Sequence, residues 1–234
     1  MAGIHGIEVV VFDVLGTLVD ETGGLRAEIR ALLPTADEAT TAALAATWQR
    51  YRDNAQRHVG EGGRPYAAAD VIDAEAARHT AAVAGLTDQD AIARLATVSR
   101  RLPPWPDTTA SLDRIAGRLP VVALSNAGRA TLLRLSAHAG LRWHTALSAG
   151  SVRAYKPAPE VYGIALDAAD CPPERVLMVA AHPWDLRGAR TSGMRTAYVR
   201  HPGANATAAG TDETGGADRW FNGLGELATA LTAP

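Results

Sequence analysis

Short apolar runs alternate along this chain with longer amphipathic stretches. Runs rich in Val, Ile and Leu are typical of strands that are buried on both faces of a parallel sheet. They predict strands over 7–12, 120–124, 175–180 and 195–199, and weaker strands over 145–148 and near Trp220 and Phe221. Helical spacing of apolar residues predicts helices over 129–139, 159–169, 185–192 and 223–231. Strands that alternate with helices predict an α/β fold with a doubly wound, Rossmann-like parallel sheet.

The segment between the first and second predicted strands has a different hydrophobic pattern. Helical spacing marks three segments there, which are residues 35–59, 67–84 and 88–101. No strand pattern occurs among them, so we expect an all-helical cap over residues 21–103. The cap is inserted into an α/β core made of residues 1–20 and 104–234. Residues 203–217, rich in Gly, Ala, Thr and Asp, predict a loop.

Composition and charge disfavour several classes of protein. The 234 residues are 47% apolar and 21% charged, which is typical of a globular rather than a disordered chain. A net charge of −2 disfavours nucleic acid or an anionic membrane as partner. No apolar run is long enough for a membrane span, and the N-terminus has no basic leader, so we expect a cytoplasmic protein. The single cysteine, Cys171, excludes an internal disulfide and has no Cys/His cluster around it for zinc.

Polar residues stand where the predicted strands end. Asp13 follows the first strand, Ser125 and Asn126 follow the second, and Asp185 follows a later one, while Lys156 lies in a loop between them. Each has an ordinary structural interpretation, as a turn residue, a helix N-cap or a solvated lysine. In doubly wound sheets, however, ligands bind beyond the carboxyl ends of the strands. The fold would bring all five side chains to that edge, which favours a single functional site.

These residue types suit nucleophilic catalysis. Asp13 has the position of an attacking carboxylate, and Thr17 would orient it through a hydrogen bond. Lys156 would keep Asp13 ionised and offset charge in the transition state. Asp185 would hold Lys156 or activate water.

Four segments carry a family resemblance. FDVLGTLVD (12–20), LSNAG (124–128), YKPAPEVY (155–162) and AAHPWDLRGA (180–189) resemble, in this order, the four motifs of the haloacid dehalogenase superfamily of hydrolases. The resemblance implies an α/β core with a helical cap inserted after the first motif, and an active site between the two. It also implies that Asp13 is the nucleophile, that Thr17 and Ser125 bind and orient, and that Lys156 is the motif lysine.

Two positions disfavour a magnesium-dependent phosphatase, which stays open as an alternative. Phosphatases of this superfamily have a second Asp two residues after the nucleophile and an acid four residues before the position of Asp185. Here those positions are Leu15 and Ala181, which offer no oxygen ligand to a hard cation. Without a cation, a phosphate monoester would be repelled by Asp13. We therefore expect no metal and no cofactor.

The chain resembles the type II 2-haloacid dehalogenase branch instead, through Asn126, Tyr162 and the pair Trp184-Asp185. That resemblance implies a displacement in which Asp13 attacks the halogen-bearing carbon, halide leaves and an aspartyl ester forms. Water oriented by Asp185 then hydrolyses the ester. The expected function is a metal-independent hydrolytic dehalogenase acting on a small 2-haloalkanoic acid. Members of this branch are often dimers, so a homodimer is also expected.

The chain departs from that branch in the residues expected to bind the substrate. The branch typically has an arginine directly after a cap tryptophan, whereas here Trp48 is followed by Gln49, which has no charge. Arg52 lies three residues on, on about the same helix face, and our hypothesis is that it replaces the missing guanidinium. His182, where Asn is often found, is either a neutral pocket wall or a hydrogen-bonding partner of substrate or water. The candidate binding residues are Leu15, Trp48, Gln49, Arg52, Tyr162, His182 and Trp184.

Gln49 keeps a second alternative open, a catalytically weak or repurposed member that binds a ligand. Asp13, Lys156 and Asp185 speak against it, because a binding protein has no need of a nucleophile.

Overall fold

A computed structural model describes residues 6–201 and 214–233. Its sheet has six parallel strands in the order β3-β2-β1-β4-β5-β6. The strands are Val9–Phe12 (β1), Val121–Ser125 (β2), Thr145–Ser148 (β3), Val176–Ala180 (β4), Arg195–Val199 (β5) and Arg219–Phe221 (β6). Because β1 lies between β2 and β4, the strand order reverses beside it, and this is where ligands bind in such sheets.

Helices cover both faces of this sheet. Those that follow β1 before β2 are Glu21–Leu32 (α1), Glu38–Gly60 (α2), Ala69–Ala84 (α3), Gln89–Ala96 (α4) and Thr108–Ala116 (α5). The later ones are Arg129–Ala139 (α6), Pro159–Ala169 (α7), Pro183–Thr191 (α8) and Leu224–Thr232 (α9). Short 3₁₀ helices occupy Val98–Arg100, Ala149–Val152 and Pro173–Arg175.

Alternate residues of β1 pack into two different clusters, as the two-residue period of a strand requires. Val10 and Phe12 belong to the cluster that includes side chains of α5, α6 and α9. Val9 and Val11 belong to the cluster that includes side chains of α7 and α8. Burial on both faces explains why β1 is apolar throughout, and it fixes the place of Asp13 directly after it.

The helical insert begins and ends at one point of the core. Asp20 accepts a hydrogen bond from the Gly23 amide and thereby caps α1. The Asp20 amide donates to the carbonyl of Pro103 over 2.9 Å, and Val19 forms a bridge with Pro104. The two connections therefore run side by side. The domain boundaries at 20/21 and 103/104 stay a prediction.

Several predicted boundaries shift by one to three residues, two helices that were not predicted are present (α1 and α5), and one predicted helix is shorter. The helix predicted over 88–101 ends at Ala96 and is followed by a 3₁₀ turn, because Thr97 leaves helical geometry with φ −112° and ψ 14°. Most of the loop predicted over 203–217 lies outside the described residues. Within the described part of the chain, no helix is long and apolar enough to cross a membrane.

Candidate active site

The nucleophile candidate is held by the turn that follows β1. The Thr17 hydroxyl donates to Asp13 Oδ2 over 2.7 Å and accepts a hydrogen bond from the Ala181 amide over 2.9 Å. Gly16 has φ +79°, and a Cβ there would lie 2.8 Å from Cε1 of His182. The turn therefore needs glycine both for its backbone conformation and for the approach of the His182 ring.

Lys156 lies between two buried carboxylates. Its Nζ donates to Asp13 Oδ1 over 2.8 Å and to Asp185 Oδ2 over 2.6 Å. All three side chains are buried, so the ammonium compensates charges that burial would otherwise make very costly.

Tyr162 completes the surroundings of Asp185. Its hydroxyl donates to Asp185 Oδ1 over 2.7 Å. Burial and the Asp185 carboxylate raise the pKa of Tyr162, so the hydroxyl stays a proton donor. Both oxygens of Asp185 are thus engaged by protein donors, and its side chain is 0% exposed.

His182 is the third side chain that contacts Asp13. Its Nδ1 lies 3.0 Å from Asp13 Oδ2, and its ring packs 5.6 Å from the ring of Trp184. Unlike Asp185, His182 lines the cleft. The histidine therefore contacts Asp13 and also borders the space where a substrate would lie.

The pKa values follow from these contacts. Burial alone would raise the pKa of Asp13, but the Lys156 charge and the His182 hydrogen bond hold it well below its usual range. Burial lowers the pKa of Lys156, and the two carboxylates outweigh that effect and raise it. Burial lowers the pKa of His182 too, while Asp13 raises it further and sets the net direction. Asp13 is therefore an ionised carboxylate over the physiological range.

Asn126 connects the helical insert to Lys156. Its Oδ1 accepts from the Lys156 amide over 2.8 Å, and its Nδ2 donates to Gln56 on α2 over 2.9 Å. Ser125 accepts a hydrogen bond from the Ala127 amide over 3.1 Å and is buried. These two predicted site residues lie at the same sheet edge as Asp13.

A cleft of about 1480 Å³ opens at this edge between the sheet and the helical insert. Asp13, Lys156, Ser125 and Asn126 contribute to its core side. The predicted binding residues that line it are Leu15, Gln49, Arg52, His182 and Trp184.

Four predicted site residues do not line the cleft, namely Thr17, Trp48, Tyr162 and Asp185. Trp48 is 1% exposed and belongs to the main hydrophobic cluster, where packing takes the place of the predicted substrate contact. Tyr162 faces Asp185, and Thr17 faces Asp13, so both support a catalytic carboxylate rather than touch the cleft.

Our hypothesis that Arg52 replaces the missing substrate-binding arginine required a guanidinium that is not already paired within the protein. The structure shows that Arg52 is paired. It forms an ion pair with Glu21, and its guanidinium carbon lies 4.9 Å from the centroid of the Trp48 ring. Asp53 lies 3.8 Å away on its other side. Its charge is already balanced by neighbouring carboxylates, so Arg52 is a poor replacement for an anion-binding arginine.

Arg26 was not predicted as a site residue. Unlike Arg52, it lines the cleft without an ion pair to a described residue. It lines the cleft from α1, its Nε is buried, and it makes no hydrogen bond or ion pair with any described residue. Gln49 lies nearby, donating over 3.1 Å to Thr22, which is one helical turn before Arg26. No signal in the sequence distinguishes Arg26 from the other arginines of the helical insert.

The donor set of this site does not fit magnesium. The Lys156 ammonium already lies within 2.8 Å of Asp13 and 2.6 Å of Asp185 and places a positive charge between them. Positions 15 and 181 are Leu and Ala, which supply no side-chain oxygen. Within residues 6–201 and 214–233, no cluster of three or more His, Cys, Asp or Glu side chains is suited to a metal ion.

A family model described as haloacid dehalogenase-like hydrolase matches residues 7–193. The chain belongs to the haloacid dehalogenase-like hydrolases. This confirms the family inferred from the four motifs, and with it the assignment as a hydrolase.

Among these hydrolases, the chain is similar to several 2-haloacid dehalogenases. An (S)-2-haloacid dehalogenase of Pseudomonas putida is 31% identical over 229 residues, which cover 96% of this chain and 98% of that protein. A crystal structure of an L-2-haloacid dehalogenase, also 31% identical, matches with a TM-score of 0.86 over 97% of this chain and 100% of that one. The L-2-haloacid dehalogenase of Xanthobacter autotrophicus, solved with chloropropionic acid covalently bound, is 25% identical with a TM-score of 0.81 over 97% and 99% of the two chains. These matches confirm the predicted α/β fold.

Proposed function

We propose that this hydrolase removes halide from small 2-haloalkanoic acids, without a metal ion, through an ester on Asp13. The observation that carries the proposal is the environment of Asp13, an ionised carboxylate that lines the cleft between Lys156, Thr17 and His182. A carboxylate held in this way is a positioned nucleophile. The (S)-2-haloacid dehalogenases among the relatives support an acid of (S) configuration as the preferred substrate.

In the first step, an oxygen of Asp13 attacks the halogen-bearing carbon from the side opposite the halogen. The new C–O bond forms as the carbon–halogen bond breaks, and halide leaves with the bonding electron pair. Halide is a stable anion and needs no proton, which suits the aliphatic Leu15 where a phosphatase needs an acid. Lys156 keeps the attacking group ionised throughout.

In the second step, water adds to the carbonyl carbon of the Asp13 ester, and the 2-hydroxy acid leaves. The developing negative charge on the carbonyl oxygen lies next to donors that are already in place, namely Lys156 and Thr17. Donors held in advance stabilise such a charge without reorganisation. The Asp13 carboxylate is restored at the end of the cycle.

Arg26 and Gln49 are the best candidates to hold the substrate carboxylate. Arg26 brings to the cleft a guanidinium that has no ion pair with a described residue, and Gln49 brings an amide from the neighbouring helix. A hydrogen bond assisted by charge is about twice as strong as a neutral one, so Arg26 would supply most of the binding energy.

Halide release is the direct test. We expect release from (S)-2-chloro- and (S)-2-bromopropionate, unchanged by EDTA, and no phosphate release from p-nitrophenyl phosphate with or without Mg²⁺. In heavy-oxygen water under single-turnover conditions, the label should enter the peptide that carries Asp13. Absence of halide release across chloro-, bromo- and fluoro-acids, or a need for Mg²⁺, would contradict the proposal.

The resemblance to the type II branch also supports a homodimer in the cytoplasm. Light scattering on the purified protein should then give twice the 24.5 kDa chain mass. A particle of one chain mass at micromolar concentration would contradict the dimer.

A further inference from the structure

We propose that His182 is the general base that activates water for hydrolysis of the Asp13 ester. This inference rests on the proposed function and concerns its second step. It assigns to a residue of the cleft wall the role that the sequence analysis gave to Asp185.

Asp185 is badly placed to receive a proton from water. Its side chain is 0% exposed, whereas that of His182 is 32% exposed and lines the cleft. The two oxygens of Asp185 already accept from Lys156 and Tyr162 at 2.6 and 2.7 Å. Because Asp185 does not line the cleft, a water molecule at the ester reaches its oxygens only if the surrounding side chains move. The geometry therefore makes Asp185 a positioning residue for Lys156.

His182, unlike Asp185, lies both on the cleft wall and within hydrogen-bonding distance of Asp13. Its Nδ1 lies 3.0 Å from Asp13 Oδ2, within the hydrogen-bonding distance expected of a general base at the reacting group. Gly16 leaves room for the ring, and Trp184 packs against it at 5.6 Å between ring centroids. Because Asp13 and His182 both line the cleft, a water that reaches the ester from the cleft would lie close to this ring.

The charge on Asp13 couples His182 to the progress of the reaction. In the free enzyme the Asp13 carboxylate favours the protonated imidazolium. Ester formation removes that negative charge, so the proton is released to solvent and the ring becomes neutral. His182 thus becomes a base when the ester is present. The other titratable groups near His182 are Asp185, Glu21, Asp53, Lys156 and His201, and the first step does not alter any of them chemically.

The proton balance closes over one turnover. Neutral His182 takes a proton from water as the oxygen adds to the carbonyl carbon of the ester. The bond from that carbon to the alkyl oxygen then breaks, and the leaving alkoxide takes the proton from His182. The proton left on Asp13 passes back to His182, which restores the ion pair. The net products are hydroxy acid, halide and the one proton that was released when the ester formed.

The test is a pair of variants that lack a ring nitrogen, His182→Gln and His182→Phe, with His138→Gln as control because His138 is exposed on α6. Both variants should release about one halide per active site in a burst and then turn over at least about 100-fold more slowly than the wild type. Intact-protein mass spectrometry should find the accumulated ester. Its hydrolysis should speed up with rising pH in the wild type and lose that dependence in the variants.

Three results separate the possible failures. Variants that hydrolyse the ester at the wild-type rate overturn the role of His182 and leave the proposed function intact. Variants that lose the halide burst also overturn it, because His182 would then act in the first step. A wild-type enzyme that releases no halide overturns the proposed function itself, and this role with it.

Discussion

At the scale of single residues, the site contains more buried negative charges than positive ones. One ammonium, on Lys156, faces two buried carboxylates, and the remaining negative charge is met in part by His182. Removing one partner of such a group leaves a buried charge without compensation, which typically costs about 3–5 kcal/mol. Substitutions here should therefore preserve shape, and neutral isosteres are the informative choice.

Asp13→Asn keeps the shape of the nucleophile and removes its charge. We expect halide release to fall by at least about 10³-fold, because an amide is a very weak nucleophile and catalysis through a covalent intermediate depends on this group. Steady-state halide release measures the effect. The matched control is Asp113→Asn, an exposed carboxylate on α5, which should leave the rate unchanged. A residual rate within tenfold of the wild type would exclude Asp13 as nucleophile.

Arg26→Gln removes the guanidinium charge from the cleft. We expect KM for 2-chloropropionate to rise about tenfold or more, which corresponds to about 1.4 kcal/mol, while kcat changes much less. Arg30→Gln is the matched control, because Arg30 is one turn further along α1 and pairs with Glu38 at the surface. Equal KM values for the two variants would show that Arg26 does not hold the carboxylate.

At the scale of elements, three helices of the insert bring acidic groups to one arginine. Glu21 on α1 and Asp53 on α2 flank Arg52, and Asp73 on α3 is buried close by. Burial raises the pKa of Asp73 to about 7, although Arg52 lowers it in part. This cluster explains why Arg52 has no charge to spare for a substrate.

The raised pKa of Asp73 predicts a pH dependence of stability. Between about pH 4 and pH 7 the folded protein keeps a proton on Asp73 that the unfolded chain has lost, so its contribution to stability falls as pH rises through that window. Asp73→Asn removes the titrating group, so the variant does not lose stability in this way as pH rises. The variant should gain at least about 1 kcal/mol relative to the wild type between pH 5 and pH 8.

Urea unfolding at pH 5 and pH 8 measures this change. Asp70→Asn, an exposed carboxylate in the first turn of the same helix, is the control. If the Asp73→Asn difference from the wild type is the same at both pH values, Asp73 does not titrate in this window.

At the scale of the whole molecule, the cleft is larger than a three-carbon acid requires. Its volume of about 1480 Å³ exceeds the roughly 300–1,000 Å³ typical of small-molecule sites. The core supplies Asp13 and Lys156, and the insert supplies most of the charged residues that line the cleft. Such a space accommodates longer acids without a change at Asp13.

A chain-length series tests this consequence. Across 2-bromo acids from three to six carbons, kcat/KM should hold or rise, because each buried methylene contributes up to about 0.8 kcal/mol. 2-Bromo-2-methylpropionate, which blocks attack at the tertiary carbon, is the control and should not react. A steep fall beyond three carbons would show that the cleft is closed to longer chains during turnover.

The sequence by itself determined the fold class, the helical insert and the gathering of Asp13, Ser125, Asn126, Lys156 and Asp185 at one sheet edge. Strand burial and helical periodicity are local patterns, and a parallel sheet places its carboxyl ends together without further information. The α/β prediction followed from those patterns, and the family motifs added the order of the site residues.

Only the tertiary structure decided which side chains face the cleft and which charges are already paired. Lys156 meets Asp13 across 143 residues of sequence, and Arg52 meets Glu21 across 31. Such partners depend on how helices pack, which periodicity does not specify. For that reason only the structure shows that Arg52 pairs with Glu21, that Arg26 lines the cleft without a described partner, and that His182 rather than Asp185 forms part of the cleft wall.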